Sequence, residues 1–411
     1  MEARRGCLNL LLTFALVVSL VVGWLGAAPV ARAADNGLVV TQNTARSEFP
    51  RDVVFSLQAQ SPDQVAQARL LYRLADDPVT YSDLVPVSPN VRVSASFTMD
   101  LQQRYLPPGV VITYQWLLDG QSGATFATPW ASVTVTDPRF AWQTVTKGPL
   151  TLHWYDGDTA FANAVLADGV NSYLKAAKTA GAQTLPRGDI YLYASDTDLR
   201  GALAQGTDTW VGGQTFPRYH VIVLLGPSAQ AAQVDRDLSH EVTHLAVDGA
   251  TMELAPLPTW LDEGMAMAAE GSSEPAYQTA LTDAAHADQL LSLQSLSANF
   301  PEDPNQALVA YAESESLVNY FTQQYGQERL ARLVDAYRHG QTADQAFQNS
   351  AGVSAKQFEA AWRQSVGAAP IASSGGSPLV RTLSGPIDFI SAVIRGLIDD
   401  FSSPKLKPAS P

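Results

Sequence analysis

Apolar and polar residues alternate strictly through Val91-Arg92-Val93-Ser94-Ala95-Ser96-Phe97-Thr98-Met99, and Ile112, Tyr114, Trp116 and Leu118 repeat the pattern in the next run. A two-residue period sends successive side chains to opposite faces of a strand, so both runs predict half-buried β-strands. Leu106-Pro107-Pro108-Gly109 separates them as a turn. Further strand-like runs lie at 53–57, 70–74 and 132–136. From Leu150 the pattern mixes types, with strands predicted at 150–155 and 190–194 around a helical run near 160–177. Beyond Glu270 it is almost wholly helical. Val234, Leu238, Val242 and Leu245 recur at helical spacing, which predicts a helix over about 231–247 with that stripe buried and Gly249 ending it. A second helix is predicted over 258–269, folded back on the first through Asp248-Gly249-Ala250 and Pro256. The chain therefore reads as multidomain α+β.

At 411 residues it can bury two or three cores. The strands within residues 35–140 predict an immunoglobulin-like β-sandwich that serves as a spacer or packing unit, with substrate binding as the alternative role. Residues 1–33 combine Arg4 and Arg5, an apolar run from Leu8 to Ala28, and Ala31-Arg32-Ala33. These are the marks of an export signal cleaved after Ala33, so the protein is expected to be secreted or held at the cell envelope. Because the apolar run approaches spanning length, an uncleaved membrane anchor is the other reading. Residues 369–380, with Ser373-Ser374-Gly375-Gly376-Ser377, predict a flexible linker. Within 381–411, Ile387, Ile390, Val393, Ile394, Leu397, Ile398 and Phe401 mark one face of an amphipathic helix too short to cross a membrane. It is expected to dock on the protein itself, with a membrane surface or a partner as alternatives. The sole cysteine, Cys7, precedes the apolar run and leaves with the signal, so the mature chain forms no disulfide. A formal net charge of −14 argues against nucleic acid as a partner.

The chemistry concentrates at His240-Glu241-Val242-Thr243-His244. On a helix the two histidines share a face, where their imidazoles can hold one Zn²⁺ at about 2.0–2.1 Å each. Glu241 sits beside them, where its carboxylate can act as a general base on water. With this composition such a pentapeptide arises by chance roughly 0.002 times, so coincidence is a weak explanation. A catalytic zinc needs a third protein donor and an open position. Glu263, within Trp260-Leu261-Asp262-Glu263-Gly264 on the second predicted helix, is the candidate, against Glu253, Glu270 and Glu274 nearby. Asp248, Asp262 and Glu270 could each accept the second N–H of a metal-bound imidazole, or be solvated turn residues. For the oxyanion of amide hydrolysis the candidate donor is the hydroxyl of Tyr311, with Tyr277, Tyr320 and Tyr325 as rivals and a plain core tyrosine as the alternative.

These two motifs resemble those of the gluzincin metallopeptidases of the MA clan. The wording around Glu263 is most similar to the aminopeptidase-N type, and the region as a whole resembles the bacterial peptidase MA-like domain. Glu270 falls where the aminopeptidase-N pattern also has a glutamate, and Tyr311-Ala312-Glu313-Ser314 loosely matches its tyrosine motif. Asp262 departs from the usual Asn without disturbing the zinc assignment. The resemblance covers roughly 141–368, with its strongest motifs at 240–270. It implies a thermolysin-like catalytic domain with a small sheet and a mainly helical C-terminal half. It also implies one catalytic zinc on His240, His244 and Glu263, and a peptide or protein substrate.

Aminopeptidases of this type hold the substrate amine with the glutamate of a Gly-x-Met-Glu-Asn strand. No glutamate lies between Glu48 and Glu241, and the corresponding segment reads Trp210-Val211-Gly212-Gly213-Gln214-Thr215-Phe216. An endopeptidase is therefore expected, an exopeptidase being the alternative and a non-catalytic zinc-containing envelope protein a third reading. The apolar run 220–225 is expected to be the strand that binds extended substrate by main-chain hydrogen bonds, with Gly212 and Gly213 as a turn before it.

Overall fold

The computed structural model describes residues 32–33, 37–75, 77–182, 185–207, 211–251, 255–271, 273–301 and 303–368. The bulk of the export signal, the linker and the amphipathic tail helix lie outside these residues. No helix among the described residues is long and apolar enough to cross a membrane.

The first eight strands are β1 (Arg32–Ala33), β2 (Val39–Glu48), β3 (Asp52–Leu74), β4 (Tyr81–Val85), β5 (Asn90–Asp100), β6 (Val111–Gly120), β7 (Thr125–Ala127) and β8 (Ala131–Thr134). They form one antiparallel sheet curled into a half-barrel, rather than the two separate sheets expected of an immunoglobulin-like sandwich. The reason is β3. Its first half pairs with β2 and β5, and its second half with β4 and β6. The two expected runs are thus one strand, carried past Ser61-Pro62-Asp63 by shifts of register between Gln60 and Val65 and between Val65 and Gln67. A proline cannot donate to a ladder, so an irregularity here lets the strand bend without losing regular pairing on either side. The curl brings Phe55 edge-on against Tyr114, ring centroids 5.0 Å apart.

A second, mixed sheet follows, built from β9 (Gln143–Lys147), β10 (Leu150–Trp154), β11 (Gly188–Tyr193), β12 (Gly213–Phe216) and β13 (Val221–Leu225), in the order β12-β13-β11-β10-β9. Alternation assigns each face a different neighbour. Leu150, Leu152, Ile190, Leu192, Ile222 and Leu224 pack on α1 (Thr159–Thr179) and α3 (Ala231–Thr251). Tyr191, Tyr193, Val221 and Val223 turn the other way and share a core with the half-barrel. The short α2 (Asp196–Arg200) follows β11 and packs against β11 and β13. The remaining helices, α4 (Thr259–Ala269), α5 (Pro275–His286), α6 (Leu293–Leu296), α7 (Pro304–Tyr325), α8 (Gln327–Arg338), α9 (Ala343–Ala351) and α10 (Ala355–Ser365), enclose a further core around Trp260, Phe321, Phe347, Phe358 and Trp362.

Two consequences can be measured. Since half-barrel and second sheet share one apolar core, calorimetry is expected to show them unfolding in a single transition. Tyr193→Ala, which empties a site packed by Phe140, Trp142 and Tyr155, should cost about 3–5 kcal/mol. Two resolved transitions would contradict the shared core. In the helical core Glu313 is fully buried on α7, accepting from Leu291 N at 3.0 Å, and burial pushes its carboxyl up to about 8 from 4.5. A carboxyl whose pKa rises on folding contributes stability below its unfolded value and loses it as pH rises through the folded one. Wild type should therefore lose stability relative to Glu313→Gln between pH 4.5 and about 8, by a few kcal/mol. Parallel curves of melting temperature against pH would contradict this.

Candidate metal centre

Helix α3 begins at Ala231 as expected but runs on to Thr251, so Gly249 lies inside its last turns and does not end it. Val234, Leu238, Val242 and Leu245 are wholly buried against the second sheet, which fixes the helix about its axis and turns His240 and His244 away from the sheet. Helix α4 starts at Thr259 after Pro258 and crosses α7 closely. A Cβ at Gly264 would sit 2.3 Å from the Ser314 carbonyl oxygen, so the crossing admits only glycine there. Each residue of Trp260-Leu261-Asp262-Glu263-Gly264 then has a physical task. Trp260 and Leu261 fill the helical core, Asp262 and Glu263 reach α3, and Gly264 permits the approach.

The donors meet in a triangle. His240 Nε2 and His244 Nε2 are 3.1 Å apart, and Glu263 Oε2 lies 3.6 Å from each. Three donors at about 2.0–2.1 Å from one tetrahedral ion would be separated by roughly 3.3 Å, so the triangle fits zinc. All three residues are buried, and Glu263 Oε2 has no hydrogen-bond partner. The far nitrogens meet carboxylates: His240 Nδ1 is 2.8 Å from Glu270 Oε1, and His244 Nδ1 is 3.3 Å from Asp262 Oδ1. Two Nε2 atoms and one carboxylate oxygen thus converge on one point, an arrangement that suits a cation once the imidazoles are neutral. Arg236 braces Glu270 from behind and also pairs with Glu274.

The charges of the metal-free cluster answer one another. Burial disfavours the imidazolium of His240, yet the adjacent carboxylates of Glu263 and Glu270 outweigh it and raise the group to about 9. His244 is likewise raised despite burial, by Asp262 and Glu263. Glu263 is drawn down to about 2 by the two histidines, against the opposing effect of burial. Asp248, one turn beyond His244, is instead pushed up to about 8 by burial and then by Asp262. Of the carboxylates considered behind the imidazoles, Asp262 and Glu270 stand beside a ring nitrogen. Glu274 serves Arg236, and Glu253 lies outside the described residues.

Glu241 is fully buried next to the donors, and burial pushes its carboxyl up. Thr215 Oγ1 donates to its Oε2 at 2.6 Å, while Oε1 has no partner. This contact was not anticipated, since nothing local marks Thr215. Nor is β13 the substrate edge: it is paired with β12 on one side and β11 on the other, and β12 is the outer strand. Gly212 and Gly213 do not form a turn before β13. Gly213 opens β12, and Gly212 O accepts from Leu225 N at 2.8 Å. Tyr311 is buried on α7 with its ring edge-on to Phe300, in the core that also holds Met267 and Tyr277. Tyr320 and Tyr325 pack on Phe358 in the other core.

Residues 168–368 match the Peptidase MA superfamily. The chain thus carries a Peptidase MA superfamily domain, which with the buried His240, His244 and Glu263 group supports a zinc metallopeptidase, zinc being the metal the family implies. Among solved structures, the chain is similar to the M1 zinc metallopeptidase from Deinococcus radiodurans, at 13% identity over 80% of this chain and 92% of that one, with a TM-score of 0.32. A mutant of the Deinococcus radiodurans enzyme bound to a Tyr-Ser-Ala substrate matches at 12% identity, 76% and 89% coverage and a TM-score of 0.33. OgpA from Akkermansia muciniphila matches at 14% identity over 24% of this chain, which spans 28% of that protein, with a TM-score of 0.19. At such TM-scores these likenesses carry no weight for function. No curated protein matches the chain.

The donor set has a direct consequence for metal affinity. Glu270→Ala should weaken zinc binding about 10–100-fold, and Glu263→Ala by more than that, in a chelator competition titration. Full affinity in Glu263→Ala alongside loss in Glu270→Ala would contradict the assignment.

Proposed function

We propose that this metallopeptidase is an exported endopeptidase in which Glu241 is the general base. The observation that carries the catalytic part is Glu241 itself, buried beside the three donors with one carboxylate oxygen held and the other unbound. When bound by His240, His244 and Glu263, zinc supplies a Lewis acid that polarises the scissile carbonyl and acidifies water. Glu241 Oε1 then takes a proton from the attacking water and passes it to the nitrogen of the leaving amine. The Tyr311 hydroxyl is assigned to donate to the carbonyl oxygen as negative charge builds on it. Tyr277 is its rival, because it lies close to Glu270, the carboxylate beside His240.

The endopeptidase part rests on β12. It is one of the two outer strands of its sheet, β9 being the other, and the one that touches Glu241; among the described residues its far edge pairs with no strand, a place for an extended peptide held by main-chain hydrogen bonds. By strand alternation Gly213 and Thr215 share the face toward Glu241, and neither offers a carboxylate for a substrate's free amine. Export and membrane-surface association rest on the terminal sequence patterns, and the half-barrel serves as a supporting unit, the remaining content of the immunoglobulin-like expectation.

Glu241→Gln should keep its zinc while losing activity by several orders of magnitude, measured by metal analysis and peptide cleavage together. Peptides blocked at the N-terminus should be cut internally, as mass spectrometry of the products would show. Release of free N-terminal residues alone would overturn the endopeptidase reading.

A further inference from the structure

Strand β12 touches Glu241 at two points. Thr215 is nearly inaccessible, and its hydroxyl lies 2.6 Å from Glu241 Oε2 and 3.1 Å from the Glu241 carbonyl oxygen. Two residues earlier, on the same face, a Cβ at Gly213 would come within 2.9 Å of Glu241 Oε1 and 2.6 Å of Leu224 Cδ1. Leu224 is itself wholly buried, so it cannot yield freely. The strand thus grips one carboxylate oxygen and leaves room for the other.

We propose that Thr215 is a positioning residue for the general base: its hydroxyl locks the rotation of the Glu241 carboxylate so that Oε1 alone is free to receive the proton, in space that Gly213 keeps open. This rests on the assignment of Glu241 above. A buried carboxylate on two flexible torsions has several rotamers, and a proton acceptor misplaced by about 1 Å can cost on the order of 100-fold in rate. The hydroxyl supplies the restraint. The same outer strand that is offered to the substrate backbone therefore also sets the base, so the relative placement of the two is built into a four-residue element.

Thr215→Val removes the hydroxyl while preserving the branched shape, and Thr215→Ser restores it. On a peptide that wild type cleaves, Thr215→Val should lower kcat about 100-fold with KM within about threefold, and Thr215→Ser should recover most of that loss. Zinc affinity should be unchanged in both. A crystal structure of metal-free Thr215→Val should show the Glu241 carboxylate rotated away from its wild-type position. In a Glu241→Gln background, Thr215→Val should add nothing further. Wild-type kcat in Thr215→Val, or a loss that Thr215→Ser does not recover, would overturn the proposal. The two failures are distinguishable: an active Glu241→Gln sinks the base assignment, whereas an inactive Glu241→Gln beside a fully active Thr215→Val sinks the positioning role alone.

Discussion

Two imidazole nitrogens and one carboxylate oxygen are forced to face each other in a buried pocket, and most of the surrounding structure follows from that constraint. Lone pairs do not converge in a protein interior without a cation to receive them. His240 and His244 are brought together by one turn of α3, but their ring orientations depend on Glu270 and Asp262. Glu263 arrives from α4, whose close passage across α7 depends on the missing side chain of Gly264. The apolar stripe of α3 on the second sheet is the foundation, since rotation about the helix axis would turn both imidazoles from the third donor.

The second sheet links this centre to the proposed substrate edge. One face carries α3 and the other is covered by the half-barrel, so neither face is open among the described residues. What remains are the two outer strands, β9 and β12, of which β12 has the edge beside Glu241. That edge is braced from the half-barrel side by Tyr105 against Phe216, ring centroids 5.5 Å apart, and by an ion pair between Arg218 and Asp77. The half-barrel is therefore part of the peptidase body in a mechanical sense. It steadies the strand on which both the Glu241 contact and the proposed substrate pairing depend.

The grouping of His240, His244 and Glu263 was legible in the sequence because its geometry is largely local. His240 and His244 need only a helix between them, and the apolar stripe announced that helix. Glu263 was legible because the residues around it each carry a distinct constraint, from the buried Trp260 to the crossing at Gly264. Non-local facts were harder to read. The runs at 53–57 and 70–74 read as two strands, and nothing in the sequence between them shows that the ladder carries on past Ser61-Pro62-Asp63 to make one long β3. The apolar run at 220–225 was rightly a strand but wrongly the edge. An unbroken apolar run marks burial on both faces, as befits an interior strand. Gly249 stayed helical, since an isolated glycine is tolerated within a helix that its neighbours already hold. Thr215 carries no local mark of its role, because its partner lies twenty-six positions away on another element.

The most direct test is the coordination shell of the zinc-loaded wild-type protein, read by X-ray absorption at the zinc edge or by a crystal structure. The account predicts two imidazole nitrogens and one carboxylate oxygen from His240, His244 and Glu263 at about 2.0–2.2 Å, with the remaining position open to water. A closed shell of four protein ligands, or a shell lacking Glu263, would contradict it.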